Sequence, residues 1–344
     1  MNSFAQRKNQ QHRNMSDGEI EDKINRYLGL IVAPILLVVG SLGNLLSIAV
    51  MSRSSMRASQ ASVYLIALSL ADLMVLYTGL LRLFIKEVSG TDIRNHSTAS
   101  CRLHATLVYM SLDTSVWILV AFTGERILSV FRPYKVKNIC TRVTSLVIIV
   151  VIIVVMLVLN SHFFYGLTSV TTVQDDNTTV TDPCTYINSV YKNFLTNVWP
   201  WIDFCVFNLV PFLLLSIGNT CIAVRVVMSR RRAKRHGNRA GPSTDRLSFK
   251  ITDQAPPMRT SARNERTSSM TAILLLLNMV FLATTTPVSV FFIIQDDWGN
   301  SVSTPKEIAL FRLTFTVVNL VQYVNNSINF ILYCITGSRF RKEL

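Results

Sequence analysis

Apolar residues gather into seven long runs, at about 27–51, 61–86, 102–131, 143–167, 197–228, 268–295 and 307–335, with polar stretches between them. A helix crosses a bilayer with roughly 20 mainly apolar residues. Each run is long enough, so the pattern predicts an all-α membrane protein, a bundle of seven transmembrane helices. The first, fourth and sixth runs are nearly unbroken: LGLIVAPILLVVGSLGNLLSIAV, SLVIIVVIIVVMLVLN and TAILLLLNMVFLATTTPVSVFFII. The third, fifth and seventh carry polar residues, which at membrane depth face other helices rather than lipid. No soluble domain fits between the runs. Residues 1–26 are polar and lack the apolar centre of a secretory signal. They read as a tail outside the membrane, with the first helix as the insertion signal.

Basic residues set the orientation, because cytoplasmic loops collect Lys and Arg. Loop 52–59 holds Arg53 and Arg57, loop 132–142 holds Arg132, Lys135, Lys137 and Arg142, and loop 229–266 runs from Arg230 to Arg266 with a dense basic content. The alternate loops 87–101, 168–196 and 296–306 are balanced or acidic. The N-terminus is therefore expected outside and the C-terminus inside. Sequons at Asn14, Asn95 and Asn177 all fall on the outer side, where N-glycosylation occurs. Cys101 and Cys184 fall there too, in an oxidising compartment. A bridge between them would pin the long second outer loop to the third helix; the alternative is two free thiols. The loop 229–266, with GPSTDR and QAPPMR, reads as a flexible linker. It is expected to meet anionic lipid and a cytoplasmic partner.

Composition agrees. Half of the 344 residues are hydrophobic and 16% are charged, against about 25% in a soluble domain. Six cysteines are too sparse for a small disulfide scaffold. The net charge of +14 raises the question of nucleic acid, but that partner requires a basic patch on a soluble fold. No HExxH, P-loop or GxSxG is present, and His12, His96, His104, His162 and His236 are too dispersed for a metal cluster. An enzyme is not expected. A secondary transporter is the rival class, but its usual internal repeat of broken helices is missing.

Specific residues then sharpen the picture. Gly43-Asn44 lies in the first run, LSLADL with Asp72 in the second, Cys101 and Glu125-Arg126 at either end of the third, and Pro133 just after it. Pro211 follows in the fifth run, Phe281 and Pro287 in the sixth, and Asn329 to Tyr333 (NFILY) closes the seventh. This ordered set resembles the rhodopsin-like G-protein-coupled receptors over about residues 27–344. It implies a receptor domain at 27–336, with 229–266 as the third cytoplasmic loop and 337–344 as the start of a short amphipathic eighth helix. Some positions depart from the family pattern. Ile127 stands for a Tyr, the fourth helix has no Trp, Thr284-Thr285-Thr286-Pro287 replaces Cys-Trp-x-Pro, Phe330 replaces a Pro, and Asn219 stands where many members have a Tyr. The combination of Glu-Arg, TTTP and NFxxY is similar to invertebrate neuropeptide receptors, including those for FMRFamide-like peptides.

The resemblance implies roles for particular residues. Asp72, costly in an apolar helix unless paired, would meet Asn44, Ser115, Asn325, Asn326 and Asn329 in an allosteric sodium pocket, the only cofactor expected; the alternative is a protonated Asp72 in a structural hydrogen-bond network. Arg126, with Glu125 as its resting partner and Tyr333 nearby, would face the cleft that receives a heterotrimeric G protein. Thr267 leaves no acidic partner on the sixth helix. Asp113, Asp203, Val108, Tyr109, Arg82, Arg312 and Tyr323 would border the ligand cavity. Two acids there favour a cationic group on the ligand, unless Arg82 or Arg312 pairs with one of them. Val108 stands where amine receptors have an Asp, and Tyr323 where opsins have a Lys, which disfavours both ligand classes. The implied function is a plasma-membrane receptor that binds an extracellular ligand, a short neuropeptide, and activates a G protein. A small chemosensory ligand is the alternative on the same fold.

Overall fold

The computed structural model describes residues 18–57, 59–132, 139–173, 179–239, 258–336 and 338–344. Seven helices in it are long and apolar enough to cross a membrane: α1 Glu19–Ser52, α2 Gln60–Ser89, α3 Thr98–Phe131, α4 Arg142–Gly166, α5 Ser189–Arg225, α6 Leu276–Ser301 and α7 Pro305–Ser327. Their ends follow from local chemistry. Ser97 caps α3, accepting from the Ser100 amide at 3.1 Å. Thr304 and Glu307 form a reciprocal capping box at α7, with Pro305 in the first turn, where its missing N–H costs nothing.

Several boundaries differ from the sequence expectation, α5 among them, which begins at Ser189 rather than 197. α1 begins at Glu19 rather than 27, because Glu19, Glu21 and Asp22 occupy its first turn and suit the positive end of the helix dipole. The basic loop is shorter than 229–266. The helix containing α5 runs on to Arg239 and the helix containing α6 begins at Met258, since Arg and Lys are good helix formers once clear of the bilayer. Residues 240–257, with GPSTDR, lie outside the described residues, as do Pro133 and Lys135. The seventh run is split at Ile328, and helix resumes over Asn329–Thr336. Beyond it, Ser338–Glu343 forms a helix of six residues, with Phe340 buried and Arg341 and Lys342 exposed.

α2 and α3 form the centre of the bundle. In their most apolar 18-residue stretches 56% of each is buried, against 22% for α4, whose apolar surface faces outward. The main core joins Tyr64, Leu65, Ile118, Phe122, Leu215 and Tyr333 from α2, α3, α5 and the segment after α7. α1 approaches the end of α7 closely: a side chain on Gly40 would meet Leu76 and Ser327 at under 3 Å.

The connection between α4 and α5 contains the only sheet among the described residues, an antiparallel hairpin of β1 Leu167–Val173 and β2 Thr179–Tyr186. Thr168 pairs with Thr185 and Val170 with Asp182. Pro183 and Cys184 thus lie opposite the single residue Ser169, which makes a bulge. Pro183 sits where no ladder N–H is needed, and the left-handed Cys184 (φ 58°) leaves the pleat. Its sulfur bonds Cys101 at the top of α3. Arg102 Nε donates to the Leu167 carbonyl at 2.6 Å and Thr98 to Ser169 at 3.1 Å, so the hairpin is fastened to α3 at several points. The disulfide joins residues 83 apart, which in the chain-entropy model is worth roughly 4–5 kcal/mol. Cys101→Ala should therefore cut cell-surface receptor severely, read by flow cytometry on an N-terminal tag. Surface levels equal to wild type would show that the bridge is dispensable.

Candidate functional site

The polar residues of α3 lie in three layers, each reaching a different neighbour. The outer layer borders a cavity of about 110 Å³ between α3, α5, α6 and β2, with Tyr109, Trp199, Asp203, Phe292, Gln295 and Tyr186 in its wall. Aromatic packing builds that wall. Tyr109 stacks on Phe163 at 4.8 Å between ring centres, and Trp199 lies 4.1 Å from His162. Asp203 faces the cavity. Asp113 does not line it. It is buried behind, accepting from Asn160 Nδ2 at 2.8 Å, within electrostatic reach of Asp203.

The middle layer is centred on Asp72, fully buried. Its carboxylate accepts from Ser115 at 2.8 Å, Asn326 at 2.7 Å and Asn329 at 2.6 Å. Asn44 donates to the Asn326 carbonyl at 2.9 Å. Asn325 is half-buried and is not among the donors to Asp72. Beside this layer, Asn208 on α5 donates to Ser289 at 3.1 Å and to Thr285 at 3.4 Å on α6. Trp117 on α3 donates to the Val206 carbonyl at 3.1 Å, inside the π-helical turn Phe204–Leu209, where widening of the ladder frees a backbone acceptor.

In the third layer, near the C-terminal end of α3, Arg126 lies over the Phe122 ring at 5.0 Å. It makes no ion pair within 4 Å among the described residues, so the expected resting pair with Glu125 is not formed. Glu125 turns instead to α4 and accepts from Ser145 at 3.3 Å. Tyr333 is buried, with its ring 5.8 Å from Phe340. Side chains around Thr267 lie outside the described residues.

Residues 43–333 match the family model of the seven-transmembrane receptors of the rhodopsin family. The chain belongs to that family. The receptor is 23% identical over 340 residues to the thyrotropin-releasing hormone receptor of Mus musculus, covering 95% of this chain and 81% of that one. It is 23% identical to neuromedin-U receptor 2 of the same species, covering 90% and 72%. A shorter stretch of 130 residues is 31% identical to G-protein coupled receptor 65 of Homo sapiens, covering 38% of each chain. The family is one of signalling receptors, and the receptor is a multi-pass membrane protein.

The other expected cavity residues are dispersed. Val108 is half-buried, its carbonyl engaged by Ser111. Tyr323 packs with Val75, Leu80 and Leu320 between α1, α2 and α7. Arg312 pairs with Asp22 of α1 at 3.8 Å, both well exposed. Arg82 forms a two-pronged pair with Asp92, which also takes Arg94 at 3.3 Å. Neither arginine therefore neutralises Asp203. Sequence reasoning missed Asn160 and Asn208. The visible signal for the first was a lone Asn ending an otherwise apolar run; Asn208 had none, because its partners lie on another helix.

Asp92, in the connection between α2 and α3, has its titration shifted. Burial pushes its carboxyl up, but the hydrogen bond from Arg82 and the charges of Arg94 and Arg82 prevail and hold it well below the usual carboxylate range. A carboxyl depressed in the folded state stabilises above its unfolded pKa, about 3.9, and loses that contribution as pH falls. Asp92→Asn should cost about 1.5–3 kcal/mol at pH 7, the size of a charge-assisted hydrogen bond. In melting curves of purified receptor, the gap to wild type should be flat above about pH 5 and shrink below about pH 4. A gap independent of pH would mean that charge is not its source.

Proposed function

We propose that this receptor sits in the plasma membrane with its N-terminus outside, binds a short extracellular peptide and activates a heterotrimeric G protein. The carrying observation is the similarity, over nine-tenths or more of the chain, to receptors named for thyrotropin-releasing hormone and neuromedin U. The FMRFamide-like resemblance of the Glu-Arg, TTTP and NFxxY residues belongs to the same reading. A cavity beneath a disulfide-fastened hairpin suits a ligand that arrives from outside and leaves most of its length at the rim. Binding would shift a two-state equilibrium towards a form that opens the cytoplasmic end, where Arg126 has no acidic partner to release among the described residues. The test is a peptide panel applied to cells expressing the receptor, with calcium and cAMP readouts. Response to small odorant-like molecules and to no peptide would replace this reading with the chemosensory one.

Arg126 carries the coupling in this reading. Arg126→Ala should lower nucleotide exchange, basal or peptide-driven, by about tenfold or more, a change of at least about 1.4 kcal/mol, while leaving surface expression in place. Exchange at the wild-type level would remove Arg126 from the coupling role.

The Asp72 layer is proposed as a sodium site. The residues fit a hard cation held by oxygen: one carboxylate, the Ser115 hydroxyl, and the Ser69 hydroxyl and Asn44 Oδ1, which are buried without a hydrogen-bond partner among the described residues. Asp72, Ser115 and Ser69 would hold the ion, which supplies a positive charge that lowers the cost of an ionised Asp72. Sodium in place of choline at equal ionic strength should raise the melting temperature of the ligand-free receptor, and Asp72→Asn should erase that difference. A sodium effect that survives the substitution would place the ion elsewhere. Asn95, exposed in the first outer loop, is the proposed glycan site among the described residues; Asn14 and Asn177 lie outside them.

A further inference from the structure

Asp203 is an acidic wall residue left without a protein partner among the described residues. Among the described residues it accepts no hydrogen bond, and no Lys or Arg lies within 4 Å of it or of Asp113. The arginines of the outer end are committed elsewhere: Arg82 and Arg94 to Asp92, Arg102 to the Leu167 carbonyl and Arg312 to Asp22. Asp113, held by Asn160 behind the wall, adds a second carboxyl with no Lys or Arg within 4 Å among the described residues. A carboxylate at membrane depth is expensive unless paired.

A second observation is independent of the acids. Trp199 lines the same cavity, is 4% exposed, and its indole N–H is buried without an acceptor among the described residues. A buried donor left unmade costs free energy too. The cavity thus presents an unpaired carboxyl, an unpaired donor and aromatic faces from Tyr109, Tyr186 and Phe292. Its 110 Å³ is well below the roughly 300–1,000 Å³ that encloses a whole drug-sized ligand, so it takes a side chain rather than a molecule.

From these features we infer that the cavity is a subsite for one arginine residue of the ligand, its guanidinium on Asp203 between aromatic faces and a carbonyl of its backbone accepting from Trp199. A planar guanidinium both forks onto a carboxylate and stacks on rings, which a compact ammonium does not. Asp113 is a positioning residue that deepens the negative potential. This assignment rests on the peptide reading above and narrows it.

The test uses the full-length receptor in nanodiscs and three small probes, N-acetyl-arginine amide, N-acetyl-citrulline amide and agmatine, with saturable thermal stabilisation as the readout. The arginine probe should stabilise the wild type, and the uncharged citrulline probe should bind weaker by at least about tenfold. Asp203→Asn should weaken the arginine probe by a similar factor, and Asp203→Glu should retain most of the binding. Trp199→Phe should weaken the arginine probe and leave agmatine, which has no carbonyl, unchanged. Equal binding of arginine and citrulline probes to the wild type overturns the proposal, and that comparison stands even if Asp203→Asn fails to fold. Agmatine binding as tightly as the arginine probe overturns the peptide-borne part in favour of a small amine. No G protein enters the assay. A receptor that binds the arginine probe but answers no peptide would fail the functional reading alone. One that answers arginine and citrulline peptides equally would fail this inference alone.

Discussion

A carboxylate buried in a bilayer-spanning helix has no water to turn to, and the way Asp72 is satisfied fixes much of this receptor. Its donors come from α3 (Ser115) and from the end of α7 and the segment after it (Asn326, Asn329). α1 is tied in through Asn44 and the Asn326 carbonyl. Four helices are thereby held in one register, since sliding α2, α3 or α7 would strip a hydrogen bond from the buried Asp72 carboxyl and sliding α1 would leave the Asn44 amide unpaired. The break at Ile328 belongs to the same arrangement, because Asn326 and Asn329 must both reach Asp72 from either side of it. The remaining helices are fastened by fewer polar contacts: Asn160 to Asp113 for α4, Trp117 to Val206 for α5, and Asn208 to Thr285 and Ser289 between α5 and α6.

The departures from the usual family residues have local compensations. Pro287 deprives the sixth helix of an N–H, and the threonines and serine around it bond backward to carbonyls, Thr285 to Phe281 at 2.7 Å and Ser289 to Thr285 at 3.2 Å. Where an aromatic toggle is expected, a hydroxyl pair faces Asn208. Phe330, in place of a proline, packs against Phe340 at 5.7 Å and so anchors the short terminal helix. Glu125 bonds across to α4 instead of to its neighbour Arg126, which rests on Phe122.

At the outer end the design principle changes from hydrogen bonds to rings and a covalent tie. The cluster of Phe163, Tyr191, Trp199 and Leu167 supports a hairpin held to α3 by the disulfide and by Arg102 and Thr98. The bulge at Pro183-Cys184 lets one strand satisfy both the ladder and the bridge. What remains between this roof and the buried acids is a small cavity rather than a broad pocket.

The sequence by itself determined the seven spans, because apolar run length is dictated by bilayer thickness, and it determined the family, because Asn44, Asp72, Cys101, Arg126 and the NFILY end occur in order. The Cys101–Cys184 pairing and the meeting of Asp72 with Ser115, Asn326 and Asn329 were also legible, the first from shared sidedness and the second through the family's packing. Tertiary structure decided what depends on helix rotation and on partners distant in sequence. It sent Arg82 to Asp92 and Arg312 to Asp22, put Asp113 behind the cavity wall with Asn160, left Asp203 facing the cavity, and took Tyr323 into an apolar seam. Hydrophobic periodicity cannot make those choices in a membrane, where lipid and core are equally apolar and the direction of a polar side chain is set by whichever neighbour completes its hydrogen bonds.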